Sequence, residues 1–233
     1  MSYDFKNEDD VKEYLKNLYM EYTFGCYSEK NPEVCHLLGD YLEAIKADHK
    51  KAEEVYKANC DEFDFGFSCT KYGTYRYFGR NSEANIKDGY KYMMKGCENN
   101  NVEGCEQAGI LSLGNSQIDD TDRSEQVKRG VAMLEKGCGT QKSDKSCFIL
   151  AKVYLNGMKD YVEKNYSKAY KFFMISCDMG NPIACINVAE MLRRGDGVPK
   201  DDTLADAYKR RAKILNDEVR KIQKQLKFHE GIN

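Results

Sequence analysis

The chain has 233 residues, 41% of them hydrophobic and 32% charged, which is enough apolar material for a core, though a thin one. A formal net charge of −2 gives no global attraction to phosphate backbones or anionic lipid, so nucleic-acid binding is not expected. No run approaches the roughly 18 to 20 apolar residues that a membrane helix needs, and no membrane span is predicted.

The first ten residues are acidic, with Asp4, Glu8, Asp9 and Asp10, and they hold neither an apolar h-region nor an arginine. Neither a secretory signal nor a mitochondrial presequence is expected there. A lone helix is predicted over about Asp9–Cys26, and with the turn that follows it makes an opening segment, 1–34.

From there the cysteines set the period. They stand as Cys26 and Cys35, Cys60 and Cys69, Cys97 and Cys105, Cys138 and Cys147, and Cys177 and Cys185. Seven or eight residues lie between the members of a pair, and successive pairs begin 34, 37, 41 and 39 residues apart. A period of that size marks helix–turn–helix repeats. Five are predicted, over 35–68, 69–104, 105–146, 147–184 and 185–217, which makes the chain an all-α, α/α solenoid.

The register repeats in sequence. Four residues after each second cysteine stands a small residue: Gly39, Gly73, Gly109, Ala151 and Ala189. Two further on is an apolar or aromatic one: Tyr41, Tyr75, Leu111, Val153 and Met191. Eight before the next first cysteine are Ala52, Gly89, Gly130 and Ala169. Five and four before it are Val55 and Tyr56, Tyr92 and Met93, Met133 and Leu134, Phe172 and Phe173. Small residues let two antiparallel helices approach, while large neighbours at i, i+3 and i+4 fill the seams. Glycine inside a helix costs about 0.5 to 1 kcal/mol relative to alanine, so its recurrence at one register implies close packing. Variable loops, such as Gly114–Gln126 and Gly157–Tyr166, absorb the differences in length.

Outside this pattern, Asp119-Asp120-Thr121-Asp122 reads as a solvated stretch of the longest loop, since calcium-loop spacing is not met. Tyr72, Tyr75 and Tyr77 lie on one helix; the first two are expected in the core, and the set could line a peptide-binding face. The closing helix is predicted over about Asp202–Lys227, with 218–233 forming its end and the tail. Tyr208, Ala212, Leu215, Val219, Ile222 and Leu226 make an apolar stripe beside Lys209, Arg210, Arg211, Lys213, Arg220, Lys221, Lys224 and Lys227. The first part of the stripe is expected to cap the last repeat, and the part after Asn216 to project toward a partner or a membrane surface.

Each pair places one cysteine near the end of a helix and one near the start of the next, across a tight turn within disulfide reach. Five structural disulfides are the reading adopted, strictly within pairs. Zinc sites favour closer spacing and nearby histidine; reduced or redox-active thiols are the other alternative. Disulfides need an oxidising compartment, and without an export signal the mitochondrial intermembrane space is the expected location. The histidines His36, His49 and His229 are expected at the surface, with His49 in the loop Lys46–Lys51, and no metal or cofactor ligand set is assigned.

Cys, a small residue at +4, glycine near +9 or +10, and Cys-Asp-x-Gly at Cys177–Gly180 together resemble the Sel-one-like repeat family, as does the run Gly195–Asp201. The five pairs, the lone opening helix and the stretch Cys26–Ile45 are similar to a branch of soluble intermembrane-space proteins that assist assembly of respiratory complex IV. That resemblance implies a non-catalytic scaffold that binds complex IV subunits or metallochaperones as clients and is imported by the oxidative relay. As an alternative, it implies a haem-binding thiol oxidoreductase in copper delivery. A further relative, the bacterial cysteine-rich Sel-one-like proteins, has been described as β-lactamase-like or penicillin-binding. The serine β-lactamase motif set is not met here, because S-D-N and K-T-G do not occur, and such activity is not expected.

Overall fold

In the computed structural model, residues 3–115 and 117–230 are described, with side chains through residue 222. Eleven helices run through the described residues: α1 (Glu8–Tyr27), α2 (Pro32–Ala44), α3 (His49–Phe63), α4 (Gly66–Phe78), α5 (Ile86–Glu98), α6 (Val102–Leu113), α7 (Arg123–Gly139), α8 (Asp144–Asn156), α9 (Tyr166–Asp178), α10 (Pro182–Arg194) and α11 (Asp202–Glu230). After α1 they fall into five pairs, the all-α solenoid class expected from the period. Two compact units divide the chain within the third pair: Met1–Leu111 with Asn115–Asp120, and Ser112–Gly114 with Thr121–Asn233.

Capping side chains start most of these helices. The second helix of a pair begins behind Asp48, Asn85, Asp122 or Asn165, whose side-chain oxygen accepts from the backbone N–H three residues on. The first helix begins behind a cap that stands four residues before the second cysteine of a pair, Asn31, Ser143 or Asn181 in α2, α8 and α10. Asn101 takes that place before α6, accepting from Gly104 N at 2.8 Å. Only α4 among these five departs, with Phe65 at its N-cap and no side-chain bond.

The packing register matches the spacing in sequence. All nine small positions, from Gly39 to Ala189, are buried. Four residues before a first cysteine, Tyr56, Met93, Leu134 and Phe173 are each at most 1% exposed and fill the middle of a pair. The closest approach is in the second pair. A Cβ on Gly73 would stand 2.8 Å from the carbonyl oxygen of Gly89, and one on Gly89 would stand 2.8 Å from that of Gly73. Backbone meets backbone there, so only glycine fits at either position.

Each unit has its own core. In the first, Leu38, Leu42, Val55, Tyr56, Tyr72 and Tyr75 form one buried cluster with Cys26 and Cys35. In the second, Leu134, Leu150, Phe173, Val188 and Leu192 pack with Ala205 and Ala212 of α11.

Several expectations need correction. Gln126 is not in a loop: α7 begins at Arg123, and Gln126 is 2% exposed. The acidic run is exposed at Asp120 and Asp122 as expected, with Asp122 also capping α7 and the neighbouring Ile118 buried at 1% exposed. His49 opens α3 instead of lying in the preceding loop, because Asp48 caps the helix there.

Candidate functional site

The structure brings the sulfurs of each cysteine pair to disulfide distance, Cys26 with Cys35, Cys60 with Cys69, Cys97 with Cys105, Cys138 with Cys147 and Cys177 with Cys185. The Cα atoms of the pairs are 4.3 to 4.7 Å apart. The cause is local: one cysteine falls in the last turn of one helix and the other in the first turn of the next, so a short turn superposes them. All ten are buried. No free cysteine remains among the described residues.

At the same end of the helices, buried polar side chains tie one pair to the next. Thr70 of α4 donates to Asn101 Oδ1, 2.8 Å away, the side chain that caps α6. Asn59 Nδ2 donates to Pro32 O and to Ser68 Oγ at 2.8 and 2.7 Å, joining α3 to the starts of α2 and α4. Asn181, the cap of α10, donates to Asp144 Oδ2 at 3.1 Å. These caps were missed in the sequence, although an Asn or Ser four before the second cysteine recurs in four pairs.

His36 is not the surface residue expected. Its side chain is 15% exposed, its Nδ1 lies 3.0 Å from Ser68 Oγ, and its ring packs against Tyr56, Phe65 and Phe67. Burial lowers its pKa, an effect Asp40 opposes without overcoming. Phe65 and Phe67, one standing where a cap would be, explain why α4 lacks one: that place is given to the aromatic cluster around His36. His49 is exposed, and the side chain of His229 lies outside the described residues.

Beside His36 is a charged network. Tyr56 donates its hydroxyl to Asp40 Oδ1 at 2.6 Å, and Lys71 Nζ lies 3.0 Å from Glu43 Oε2, whose other oxygen pairs with Arg80. Burial pushes the Glu43 carboxyl up, but the bonds from Lys71 and Arg80 outweigh it and hold it below its ordinary value. Tyr56 is pushed far up by burial and by its bond to Asp40.

One element of the serine β-lactamase set does occur, since Ser68-Cys69-Thr70-Lys71 has the S-x-x-K spacing. The structure gives these residues other partners. Ser68 is 0% exposed and held between His36 and Asn59, while Lys71 is turned to Glu43 and Asp40. Among the described residues no group of three or more His, Cys, Asp and Glu is placed to hold a metal ion.

Two concavities are built from the helix pairs themselves. In the first unit a cleft of about 470 Å³ is lined by Tyr19 and Tyr27 of α1, Leu38 and Leu42 of α2, and Glu54 and Val55 of α3. In the second, a groove of about 380 Å³ lies between α10 and α11. Tyr72 and Tyr75 are buried at 6 and 1% exposed, as the register implied, and Tyr77 is half-buried beside Phe78. On α11 the stripe behaves as two parts. Ala212 and Leu215 pack into the core, whereas Val219 and Ile222 are 43 and 56% exposed; Leu226 lies outside the described side chains.

A model of the Sel1 repeat matches residues 66–101, 144–181 and 182–209. These windows open at Gly66, Asp144 and Pro182, the first residues of α4, α8 and α10. The chain is 37% identical to the cytochrome c oxidase assembly factor 7 homolog of Drosophila melanogaster, an alignment that takes in 100% of this chain and 98% of that protein. It is 32% identical to cytochrome c oxidase assembly factor 7 of Xenopus tropicalis, over 97% of this chain and 98% of the relative. Among solved structures it is similar to a Sel1 repeat protein from Oxalobacter formigenes, with a TM-score of 0.63, 17% identity and coverage of 85% of this chain and 82% of that one.

Proposed function

The chain belongs to the cytochrome c oxidase assembly factor 7 family, built of Sel1 repeats, and from that premise we propose that it serves the assembly of mitochondrial respiratory complex IV as a non-catalytic scaffold. The observation that carries this reading is the extent of the likeness, 37% identity along the whole chain to a protein named for that role. The physical form agrees with it. Within each unit, helix pairs tied by buried cysteine pairs and by cap side chains offer firmly held exposed surfaces to clients. Ser68, His36 and Lys71, side chains able to do acid–base or nucleophilic work, are committed to one another or to carboxylates.

The clients proposed are complex IV subunits or metallochaperones, with no resident cofactor. The proposed location is the intermembrane space, since ten cysteines in five pairs suit a compartment where thiols are oxidised, and the oxidative import machinery is then a transient partner. Deleting the gene and measuring complex IV by native electrophoresis and cytochrome c oxidation tests the role. The expected outcome is a selective loss of complex IV restored by re-expression; unchanged complex IV would sink it.

A further inference from the structure

In the first unit, α2 and α4 each offer a seat to the first helix of the next pair. Two register positions show it. One residue after the second cysteine, His36 reaches Ser68 at the start of α4, and Thr70 donates to Asn101 before α6. Five after it, Thr74 Oγ1 lies 3.1 Å from Gln107 Oε1 of α6. In α10 the same two positions are Ile186 and Glu190, and both line the groove between α10 and α11.

Among the described residues no helix fills that seat. Ile183 and Ile186 are 57 and 48% exposed, although Ile186 stands at the register where His36 and Thr70 meet the next pair. The opposite wall is α11, which contributes Ala212 to the floor and Lys209 and Lys213, both exposed, to the rim. Glu190 is the one acid of the lining, and it already faces Arg193 and Arg194 at 3.8 and 3.7 Å. The seat is thus an aliphatic trough with a cationic edge.

We infer that the groove between α10 and α11 is a docking site for an amphipathic helix of a partner protein. Its aliphatic residues, spaced i, i+3, i+4 and i+7, lie against Ile183, Ile186 and Ala212, and its carboxylates face Lys209 and Lys213. The partner completes the array as a next repeat would, and the cationic rim selects an acidic flank over a basic one. This deepens the scaffold reading and rests on it, but it is tested on the purified full-length chain apart from complex IV levels, so either can fail alone.

The probe is a fluorescein-labelled synthetic helix with leucine at those spacings and glutamate on its flanks, titrated by anisotropy beside a twin with lysine for each glutamate. The glutamate peptide binds the wild type, and Ile186→Asp weakens it at least about tenfold. The double variant Lys209→Glu, Lys213→Glu reverses the preference between the peptides. These side chains are exposed, so melting temperatures should stay at the wild-type value and exclude a folding defect. Equal binding of both peptides, or binding indifferent to Ile186→Asp, overturns the inference. Dimers in sedimentation velocity that Ile186→Asp dissolves would assign the groove to a second copy of this chain and overturn it. Binding to phosphatidylserine vesicles, lost in the same variants and without peptide binding, would assign it to lipid and also overturn it.

Discussion

His36 lies against Tyr56, Phe65 and Phe67, in surroundings that favour a neutral ring. Asp40 and Glu43 on α2 pull its pKa up and Lys71 on α4 pushes it down, but burial is the largest effect and the net shift is below the ordinary value of 6.5. The unfolded chain therefore binds the proton more readily. Stability is complete above pH 6.5 and declines as pH falls from 6.5 toward the lowered folded value. Urea midpoints should drop between about pH 7 and pH 5.5 in the wild type and drop less in His36→Gln; parallel profiles would refute the assignment. Packing gives a second prediction at this scale. Leucine at Gly39 would drive into the Tyr56 ring, whose Cδ1 and Cζ stand 2.7 and 2.8 Å from a Cβ placed there. Leucine at Ala169, 0% exposed, meets the core of the fourth pair. Each should cost about 1 to 3 kcal/mol, seen as a lower melting temperature, whereas the exposed Ala132 should tolerate leucine. Ala205 looks permissive from its place in the closing helix, yet at 0% exposed it belongs with the sensitive positions.

A helix pair of this size buries too little apolar surface to stand alone, and its ends are where the chain compensates. Four of the five first helices start with a side-chain cap four residues before the second cysteine, and hydrogen bonds at these ends reach neighbouring helices. Closing a loop of about nine residues should stabilise by roughly 2 to 3 kcal/mol in the chain-entropy model. The double variant Cys177→Ser, Cys185→Ser should therefore lower the stability of the second unit by about that amount without unfolding it. Denaturant unfolding followed by circular dichroism measures it, and no change would mean the pair contributes no cross-link in solution. Non-reducing peptide mass spectrometry should find 26–35, 60–69, 97–105, 138–147 and 177–185 and no bridge between different pairs.

For the molecule as a whole, five such links, about 10 to 15 kcal/mol together, are as large as the 5 to 15 kcal/mol that typically separates a folded domain from its unfolded chain. Oxidation and folding are then one event, and a compartment that oxidises the chain retains it. The expected outcome is accumulation in the intermembrane space for the wild type and a strong reduction when three or more pairs are replaced by serine. Fractionation with protease protection reads it. Equal mitochondrial levels of the two chains, or a wild type that stays reduced in the cytosol, would end the compartment argument.

What the sequence determined by itself was whatever repeats along the chain: the period of the cysteines, the small residues facing each other as at Gly73 and Gly89, and the large residues such as Tyr56 and Phe173 that fill each pair. These are legible because helix geometry turns spacing directly into a shared face. The asparagine caps were legible too, at one fixed distance before the second cysteine, but a short polar residue in a turn has many roles until its hydrogen-bond partner is known. Burial of His36, Ser68 and Ala205 was decided by tertiary structure alone, because Tyr56, Phe65 and Phe67 enclose the first, His36 and Asn59 of other helices hold the second, and α11 folding back onto α10 encloses the third. The open seat at Ile183 and Ile186 belongs to the same class. In sequence Ile186 stands at the register of His36 and Thr70, which meet the next pair, and only the arrangement of helices leaves it without such a neighbour among the described residues.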